Sequence, residues 1–461
     1  FMSNFVINIK KMLRLKKYTP IFTPFQFLVA GYAFVTLIGA LLLSLPISSS
    51  KNTYQPFIDS LFVATSGIST SGLSVVDIGS YYSLFGQIVL LCIFQVGGIG
   101  YMSIIICLIS MFDVKISLFS KNVAVESISG TSYGQLNKFL ISVIIFTAIF
   151  EVIGAAILTG VFLDTYSLRR SVYLGIFHSI SAFCTAGFSV FPDSLMKYNC
   201  NIILNMTINI LSLAGGIGFI VIYEIFIIFR KKLKNKHVFS LSVHSKFVIL
   251  TTIVFITIGS YIIYFSENWQ SGLSEYDKWQ ISVFQSISAS TTDGFNTMDI
   301  SKMHSGSLTY LIFQMFTGAA PGSTGGGIKV TTMGLILIFL IYQLRGRENN
   351  IHIFKHQIPN KSITKAAGIF VWFIIIIFAD LLILLYTEKV SLLELLFEIT
   401  SALGNTGLSM GITSKLSFIG KFFLTITMFI GRVGPLTIGL FFAGKQIESS
   451  VRYSEEDIYI G

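Results

Sequence analysis

The sequence predicts an all-α polytopic membrane protein of four helix–pore-helix–filter loop–helix repeats around a pseudo-fourfold axis. Three observations predict it. The 461 residues are 53% hydrophobic and 12% charged, with a mean hydropathy of +0.76. Soluble domains carry about 25% charged residues, so most of this surface meets lipid rather than water. Apolar runs lie near 24–47, 84–112, 139–163, 202–229, 247–265, 308–345, 366–387 and 418–444, and a crossing helix needs about 20 such residues. Between the two members of each pair of runs lies a short Ser/Thr/Gly-rich segment, and these four segments match one another.

The match starts at Phe62, Phe177, Phe284 and Phe397 and reads Phe-x-x-x-Ser-(Ala/Gly)-x-x-x-x-Gly-(Phe/Leu)-(Ser/Asn), without an insertion. It places a serine at Ser66, Ser181, Ser288 and Ser401, and a glycine at Gly72, Gly187, Gly294 and Gly407. Repetition about every 110 residues outranks any single motif. The repeats are 22–112 with a filter at 70–74, 139–229 with a filter at 185–189, 247–345 with a filter at 292–296, and 366–444 with a filter at 405–409. A tail, 445–461, follows.

Non-helical backbone at membrane depth is tolerated only where it is buried in protein or lines a cavity. Four such loops imply a shared axis. A permeating cation needs oxygens in place of its water, and rings of backbone carbonyls supply them. Glycine admits backbone conformations that other residues resist, and the negative C-terminal end of each preceding half-helix favours a cation. The residues expected around the ion are Thr70, Ser71 and Gly72, then Thr185, Ala186 and Gly187, then Thr292, Asp293 and Gly294, then Asn405, Thr406 and Gly407. A small-residue helix-packing motif is the bland alternative, but packing gives no reason for four matched loops. Asp293 binds cations tightly if it faces the axis, and serves as a buried hydrogen-bonding group if it faces away. Asp77, Asp193 and Asp299 follow three of the filters. They either concentrate cations at the mouth or cap the next helix.

The second run of the third repeat is interrupted by Gly318, Pro321, Gly322, Gly325, Gly326 and Gly327, which cannot continue a helix stably. A loop over 317–327 directly below a filter reads as a gate, since moving lids draw on flexible segments. Only the third repeat reads as having a broken second helix. Arg432 lies in the last run between Gly431 and Gly434. A charge at that depth is costly and functional by default, and a buried pair with Glu151 or Asp380 is its alternative. Lys329 is ambiguous between vestibule and interface, and Glu224 either snorkels or pairs with Arg230.

Basic clusters at Lys10–Lys17, Arg230–Lys246 and Arg345–Lys365 put those segments and both termini on the cytoplasmic side. The N-terminal stretch lacks a cleavage site of small residues, so it is not read as a signal peptide. Cys92, Cys107, Cys184 and Cys200 show no C-x-x-C spacing and read as packing residues. His352 and His356 are four apart in a basic loop with no acidic or Cys partner, so they read as solvated rather than metal-binding. No P-loop, nucleophile elbow or paired metal ligands appear, so the chain is read as neither an enzyme nor a nucleotide binder. A sodium-coupled potassium symporter with alternating access stays as the rival to a channel-like pore, although alternating access usually uses two related halves.

The four loops, the Gly-rich interruption and the Arg432-Val-Gly-Pro-Leu-Thr segment resemble the Trk/Ktr/HKT superfamily of potassium transporters over essentially the whole chain. The nearest resemblance is to the Ktr membrane subunit (KtrB-type). It implies potassium uptake through a channel-like subunit, with the potassium ion as substrate on backbone carbonyls and sodium as a second candidate ion. It implies a homodimer with one pore per subunit, the tail 445–461 as a dimer contact, and a cytosolic ring of nucleotide-binding regulatory subunits (KtrA-type) in a bacterial inner membrane. It also implies that the Gly-rich loop blocks the path beneath the filter, with Arg432 as an electrostatic barrier. Serine at the first filter glycine goes with sodium transport in plant relatives; all four glycines here resemble the potassium-selective members. Asp293 departs from the uncharged residue usual at its position. The linkers 230–246 and 345–365 are read as docking surfaces or as plain topology charge.

Overall fold

The computed structural model describes residues 24–100, 136–233, 240–269, 271–347, 350–434 and 437–438. The basic N-terminal stretch, Cys107, residues 234–239 of the 230–246 cluster and the tail 445–461 lie outside the described residues.

The helices come in four sets. The first is α1 (Pro24–Ser44), α2 (Phe57–Ser69) and α3 (Leu84–Ile99). The second is α4 (Leu136–Phe162), α5 (Leu168–Phe183), α6 (Ile202–Gly216) and α7 (Phe219–Leu233). The third is α8 (Val243–Ser266), α9 (Glu275–Thr291), α10 (Ser305–Thr317) and α11 (Val330–Leu344). The fourth is α12 (Asn360–Thr387), α13 (Leu392–Gly404) and α14 (Phe418–Val433). The chain is an all-α membrane protein; among the described residues the only strands are β1 (His352–Ile353) and β2 (His356–Gln357), a two-stranded hairpin.

The first helix of each set, α1, α4, α8 and α12, is long and apolar enough to cross a membrane alone. Their outer sides carry exposed apolar side chains such as Leu41, Val152, Ile253 and Leu382, as lipid contact requires. The short helices α2, α5, α9 and α13 lie inside. Their motif phenylalanines, Phe62, Phe177, Phe284 and Phe397, are each fully buried, which accounts for the invariance of that position among the repeats. Local chemistry sets where helices begin. Ser274 with Asp277 and Ser391 with Glu394 form capping boxes at the starts of α9 and α13. Ser83 and Ser417 cap α3 and α14 by accepting from the Gly86 and Gly420 amides.

The broken second span is not peculiar to the third repeat. The α3 helix stops at Gly100 (φ +83), α6 and α7 meet across Gly218 (φ +93), α10 stops at Gly318 (φ +63) and α14 stops at Gly434 (φ +87). The α6–α7 pair is bent by 100°. A left-handed glycine ends each helix at the same level of its set, because no other residue takes that φ without strain. In the third repeat the interruption is longer than that between α6 and α7, running over 318–329 before α11 resumes. Glycine clusters such as Gly97-Gly98-Ile99-Gly100 also suit close helix packing, which hid the break in the sequence. The last set is tied to the first by an ion pair, Lys421 Nζ to Asp59 Oδ1 at 2.7 Å, between α14 and α2.

Candidate functional site: four loops in a closed ring

Each short helix ends in the same way. The amide of Thr70 donates to the Gly67 carbonyl at 3.1 Å, and that of Ser71 donates to the Ser66 carbonyl at 2.8 Å. The pairs Thr185–Ala182 and Ala186–Ser181, Thr292–Ala289 and Asp293–Ser288, and Asn405–Ala402 and Thr406–Ser401 repeat the arrangement. This is the Schellman ending of a helix, and the motif serine adds its hydroxyl to the loop that follows: Ser181 Oγ and Ser288 Oγ donate to the Phe188 and Phe295 carbonyls at 2.9 and 2.6 Å. The left-handed residue of such an ending is usually glycine. Here it is Thr70, Thr185, Thr292 and Asn405, with φ of 56°, 49°, 59° and 53°. Three β-branched residues at positive φ are strained, and strain of this kind persists where surrounding structure enforces it, often at functional sites.

The four glycines interlock. A Cβ placed on Gly72 would lie 2.6 Å from the Ala186 carbonyl oxygen. One on Gly187 would overlap the carbonyl of Asp293, one on Gly294 that of Thr406, and one on Gly407 that of Ser71. Each loop thus presses its glycine against the carbonyl of the next, from first to second, third, fourth and back to first. Side-chain bonds hold the loops from behind: the Gly294 and Gly407 amides donate to Ser288 Oγ and Ser401 Oγ at 3.1 and 3.0 Å. The C-terminal ends of four helices converge on this ring, and their partial negative charge favours a cation there.

Beyond the glycines a cavity of about 340 Å³ is lined by residues of all four loops, among them Ser74, Ser189, Asn296 and Ser409. Asp77 lines it too, while its carboxylate caps the turn that follows by accepting from the Gly79 and Ser80 amides. Asp299 caps at Ser301 and pairs with Lys302 at 3.2 Å; neither it nor Asp193 is part of the cavity wall. The Asp293 carboxylate is turned to α6, where it accepts from Ser212 Oγ at 2.6 Å, and its residue is 1% exposed.

One buried acid escapes a reading of the motif. Glu398 follows the motif phenylalanine of the fourth repeat and is fully buried. It accepts from Ser409 Oγ at 2.8 Å and from Thr413 Oγ1, both on residues of the cavity wall. His178 holds the same place in the second repeat and binds Ser189 Oγ through Nε2 at 3.1 Å. The signal was an ionisable residue inside a short buried helix, at a position that varies among the repeats.

The segment 318–329 lies against the other end of the ring. Thr324 Oγ1 bonds Thr185 Oγ1 at 3.0 Å and the Phe183 carbonyl at 3.2 Å, and the Thr324 carbonyl accepts from Thr70 Oγ1 at 3.1 Å. The Gly326 amide donates to Thr292 Oγ1 at 3.2 Å, and a Cβ on Gly326 would strike the Asn405 side chain. The segment therefore meets all four left-handed residues at once. Gly318 and Gly325–Gly327 are buried, while Pro321 and Gly322 are half-buried. Lys329 Nζ folds back on the segment, donating to the Gly325 and Gly326 carbonyls at 2.8 and 3.2 Å.

Arg432 reaches the same place from α14. Its guanidinium donates to the carbonyls of Thr324, Gly97 and Gly98 and to Thr70 Oγ1. It has no carboxylate partner among the described residues. Glu151 accepts instead from Gln95 Nε2 at 2.8 Å, and Asp380 from Thr427 Oγ1 at 2.5 Å. Glu224 does not pair with Arg230; it accepts from the Ser242 amide and Ser245 Oγ at the start of α8. His352 and His356 sit on facing strands of the hairpin and bond backbone carbonyls of Asn350 and Phe354. Among the described residues no group of three His, Cys, Asp or Glu could hold a metal.

A lipid-facing helical bundle with a four-part polar centre at its core defines a membrane transport protein. The profile of the TrkH family, described as a cation transport protein, matches residues 2–452, and the chain belongs to that family. It is a transporter, not an enzyme. It is similar to the Ktr system potassium uptake protein B of Bacillus subtilis (strain 168), 35% identical over 95% of this chain and 97% of that one. It is also similar to the Ktr system potassium uptake protein B of Vibrio alginolyticus, 32% identical over 95% of this chain and 94% of that one. The potassium/sodium uptake protein NtpJ of Enterococcus hirae is 31% identical over 95% of this chain and 97% of its own length. In three dimensions the chain is similar to the crystal structure of the potassium transporter TrkH from Vibrio parahaemolyticus, with a TM-score of 0.72 and 18% identity over 92% of this chain and 86% of that one.

Proposed function

We propose that the chain is the ion-translocating membrane subunit of a potassium uptake system and that potassium passes through the ring of four loops. The observation that carries this reading is the cyclic packing of Gly72, Gly187, Gly294 and Gly407 against the carbonyls of the neighbouring loops. Backbone carbonyls held in that way replace the hydration shell of a cation. The repeat boundaries 22–112, 139–229, 247–345 and 366–444 follow, with filters at 70–74, 185–189, 292–296 and 405–409. Thr70, Ser71, Gly72, Thr185, Ala186, Gly187, Thr292, Asp293, Gly294, Asn405, Thr406 and Gly407 form the binding path by main-chain oxygens. The names of the relatives from B. subtilis and V. alginolyticus favour potassium, and the name of the E. hirae relative keeps sodium as a second ion.

The gate is the segment around Gly318, Pro321, Gly322, Gly325, Gly326 and Gly327, latched by Arg432. It fills the space that an ion leaving the ring must cross, because it bonds to Thr70, Thr185 and Thr292 together. Opening requires those bonds and the Arg432 bonds to exchange for others. A cytosolic nucleotide-binding regulatory ring (KtrA-type) supplies that drive. The subunit works as a homodimer with its tail at the contact, in a bacterial inner membrane with both termini cytoplasmic. A sodium-coupled symporter with alternating access fits less well, since four loops close on one axis rather than two halves on one site.

Rubidium uptake into potassium-starved cells tests the reading, with and without a co-expressed regulatory subunit and with and without sodium. If potassium selectivity persists after substitution of each of the four glycines, the ring is not the filter.

A further inference from the structure

We infer that α7 is the arm that moves the gate: the junction of α6 and α7 and the segment 318–329 shift as one body, and the position of α7 sets whether the path beneath the ring is open. This rests on reading the segment as a gate and on the regulatory partner proposed with it. Three main-chain hydrogen bonds join segment and junction. The Ala320 and Thr324 amides donate to the Gly216 and Gly215 carbonyls at 3.0 and 3.1 Å, and the Phe219 amide donates to the Gly322 carbonyl at 2.9 Å. Gly218, at φ +93, lies so close that a Cβ there would stand 2.7 Å from the Pro321 oxygen. The breaks at Gly100 and Gly434 make no main-chain bond to the segment among the described residues.

These bonds occupy groups that a helix cannot satisfy by itself. Gly215 and Gly216 are in the last turn of α6, and Phe219 is the first residue of α7. Carbonyls at one helix end and amides at the next helix start have no partner within their own helices. All three residues are buried, as are Ala320 and Thr324. A segment that left the junction behind would strand two buried carbonyls and a buried amide, which is costly. Its bonds to the ring differ in kind. They run through the hydroxyls of Thr70, Thr185 and Thr292, groups that water in an open path can serve. The contacts to the ring and to Arg432 are therefore the ones that yield, and the junction goes with the gate. The body of α6 stays in place: Ser212, a turn before Gly215, donates to Asp293 of the third loop at 2.6 Å. The bend of 100° between the two helices sets α7 apart as a lever. Its Ile225, Phe226 and Phe229 are exposed, and aromatic pairs with α4, Phe139–Tyr223 and Phe146–Phe226, steady it. Its last turn carries Arg230, Lys231 and Lys232, the mark of a cytoplasmic end. A push on that end reaches the gate through the main chain.

The test fixes α7 in place. Phe146→Cys/Phe226→Cys, at a pair whose ring centroids are 5.2 Å apart, is bridged in cells by a membrane-permeant bifunctional methanethiosulfonate. Rubidium uptake is then measured with the regulatory subunit co-expressed. Bridging should lower uptake about tenfold, and dithiothreitol should restore it in the same protein, which rules out a folding defect as the cause. The two single variants, treated alike, control for the native cysteines. The same bridge in a chain lacking 318–327 should change nothing, because the arm then has no gate to move. Full uptake by the bridged protein would overturn the inference. So would an equal fall with and without 318–327, which would place the action of α7 elsewhere. If the deletion alone fails to raise uptake, the gate reading itself is what fails, and the arm falls with it. Gly218→Ala gives an independent measure. Its Cβ drives the segment from the junction, so uptake without the regulator should rise and the stimulation by the regulator should fall several-fold. Unchanged stimulation in that variant would also overturn the arm.

Discussion

Arg432 and Thr324 are bonded directly, guanidinium to main-chain carbonyl, across the gap between α14 and the segment beneath the ring. The same guanidinium holds the Gly97 carbonyl at the end of α3. One side chain therefore joins the last repeat, the first repeat and the interrupting segment of the third. Hydrogen bonds to a charged group are worth about 1.5–3 kcal/mol each.

Replacing Arg432 by Gln removes the charge and most of these bonds. A closed state weakened by about 1.5–3 kcal/mol gains tenfold or more in open fraction, so rubidium uptake without a regulatory partner should rise about tenfold. Deleting 318–327 should raise it further. Unchanged or lower uptake by either variant, at wild-type membrane abundance, would count against a latch.

Gly72→Ser tests the ring itself. The glycine has φ +83, and its Cβ would stand 2.6 Å from the Ala186 oxygen. A serine must push the second loop away or flatten its own φ, at a cost of about 1–3 kcal/mol for strain alone. Displacing one carbonyl should spoil the fit for potassium more than for sodium. The expected result is a several-fold fall in the potassium-to-sodium preference, measured by sodium inhibition of rubidium uptake.

The pair Asp59–Lys421 closes the circle between α2 and α14, with side chains 17% and 16% exposed. Its partial burial places it between a surface pair and a buried one. Asp59→Asn or Lys421→Met should each cost about 1–3 kcal/mol. The double variant should recover part of that loss, and a coupling term from thermal unfolding of the four proteins measures it. Strict additivity would mean that the two residues are merely neighbours.

The repeats were legible because each loop uses the same local chemistry. The helix ends alike at Ser66, Ser181, Ser288 and Ser401, and the hydroxyls of Ser181, Ser288 and Ser401 bond the main chain of their own loops, so the motif carries its own geometry. What depends on distant partners was not legible. The direction of Asp293 is set by Ser212 on another helix. Arg432 finds carbonyls rather than Glu151 or Asp380 because the end of α3 and the segment beneath the ring expose carbonyls there. The breaks at Gly100, Gly218 and Gly434 turn on φ alone, and a glycine in an apolar run serves packing and breaking equally well.

Glu398 gives the last prediction. Its two oxygens are taken by Ser409 and Thr413, whose hydroxyls also contact each other at 3.0 Å, and the Gly411 amide leans on Ser409 Oγ at 2.9 Å. The carboxylate thereby positions the wall of the outer cavity just past Gly407. Glu398→Ala leaves those hydroxyls beside a void and should cost about 1–3 kcal/mol. Glu398→Gln keeps the volume and one acceptor, so its loss should be smaller. If the acid only stabilises the fold, both variants lower the unfolding temperature and leave the uptake of the surviving protein unchanged. If it shapes the entrance, the rubidium concentration for half-maximal uptake should rise several-fold in Glu398→Ala, with little change in maximal rate, and Glu398→Gln should fall between. Binding at the entrance and passage through the ring separate in that measurement, because Glu398 bonds Ser409 and Thr413 in the cavity wall and none of the four glycines.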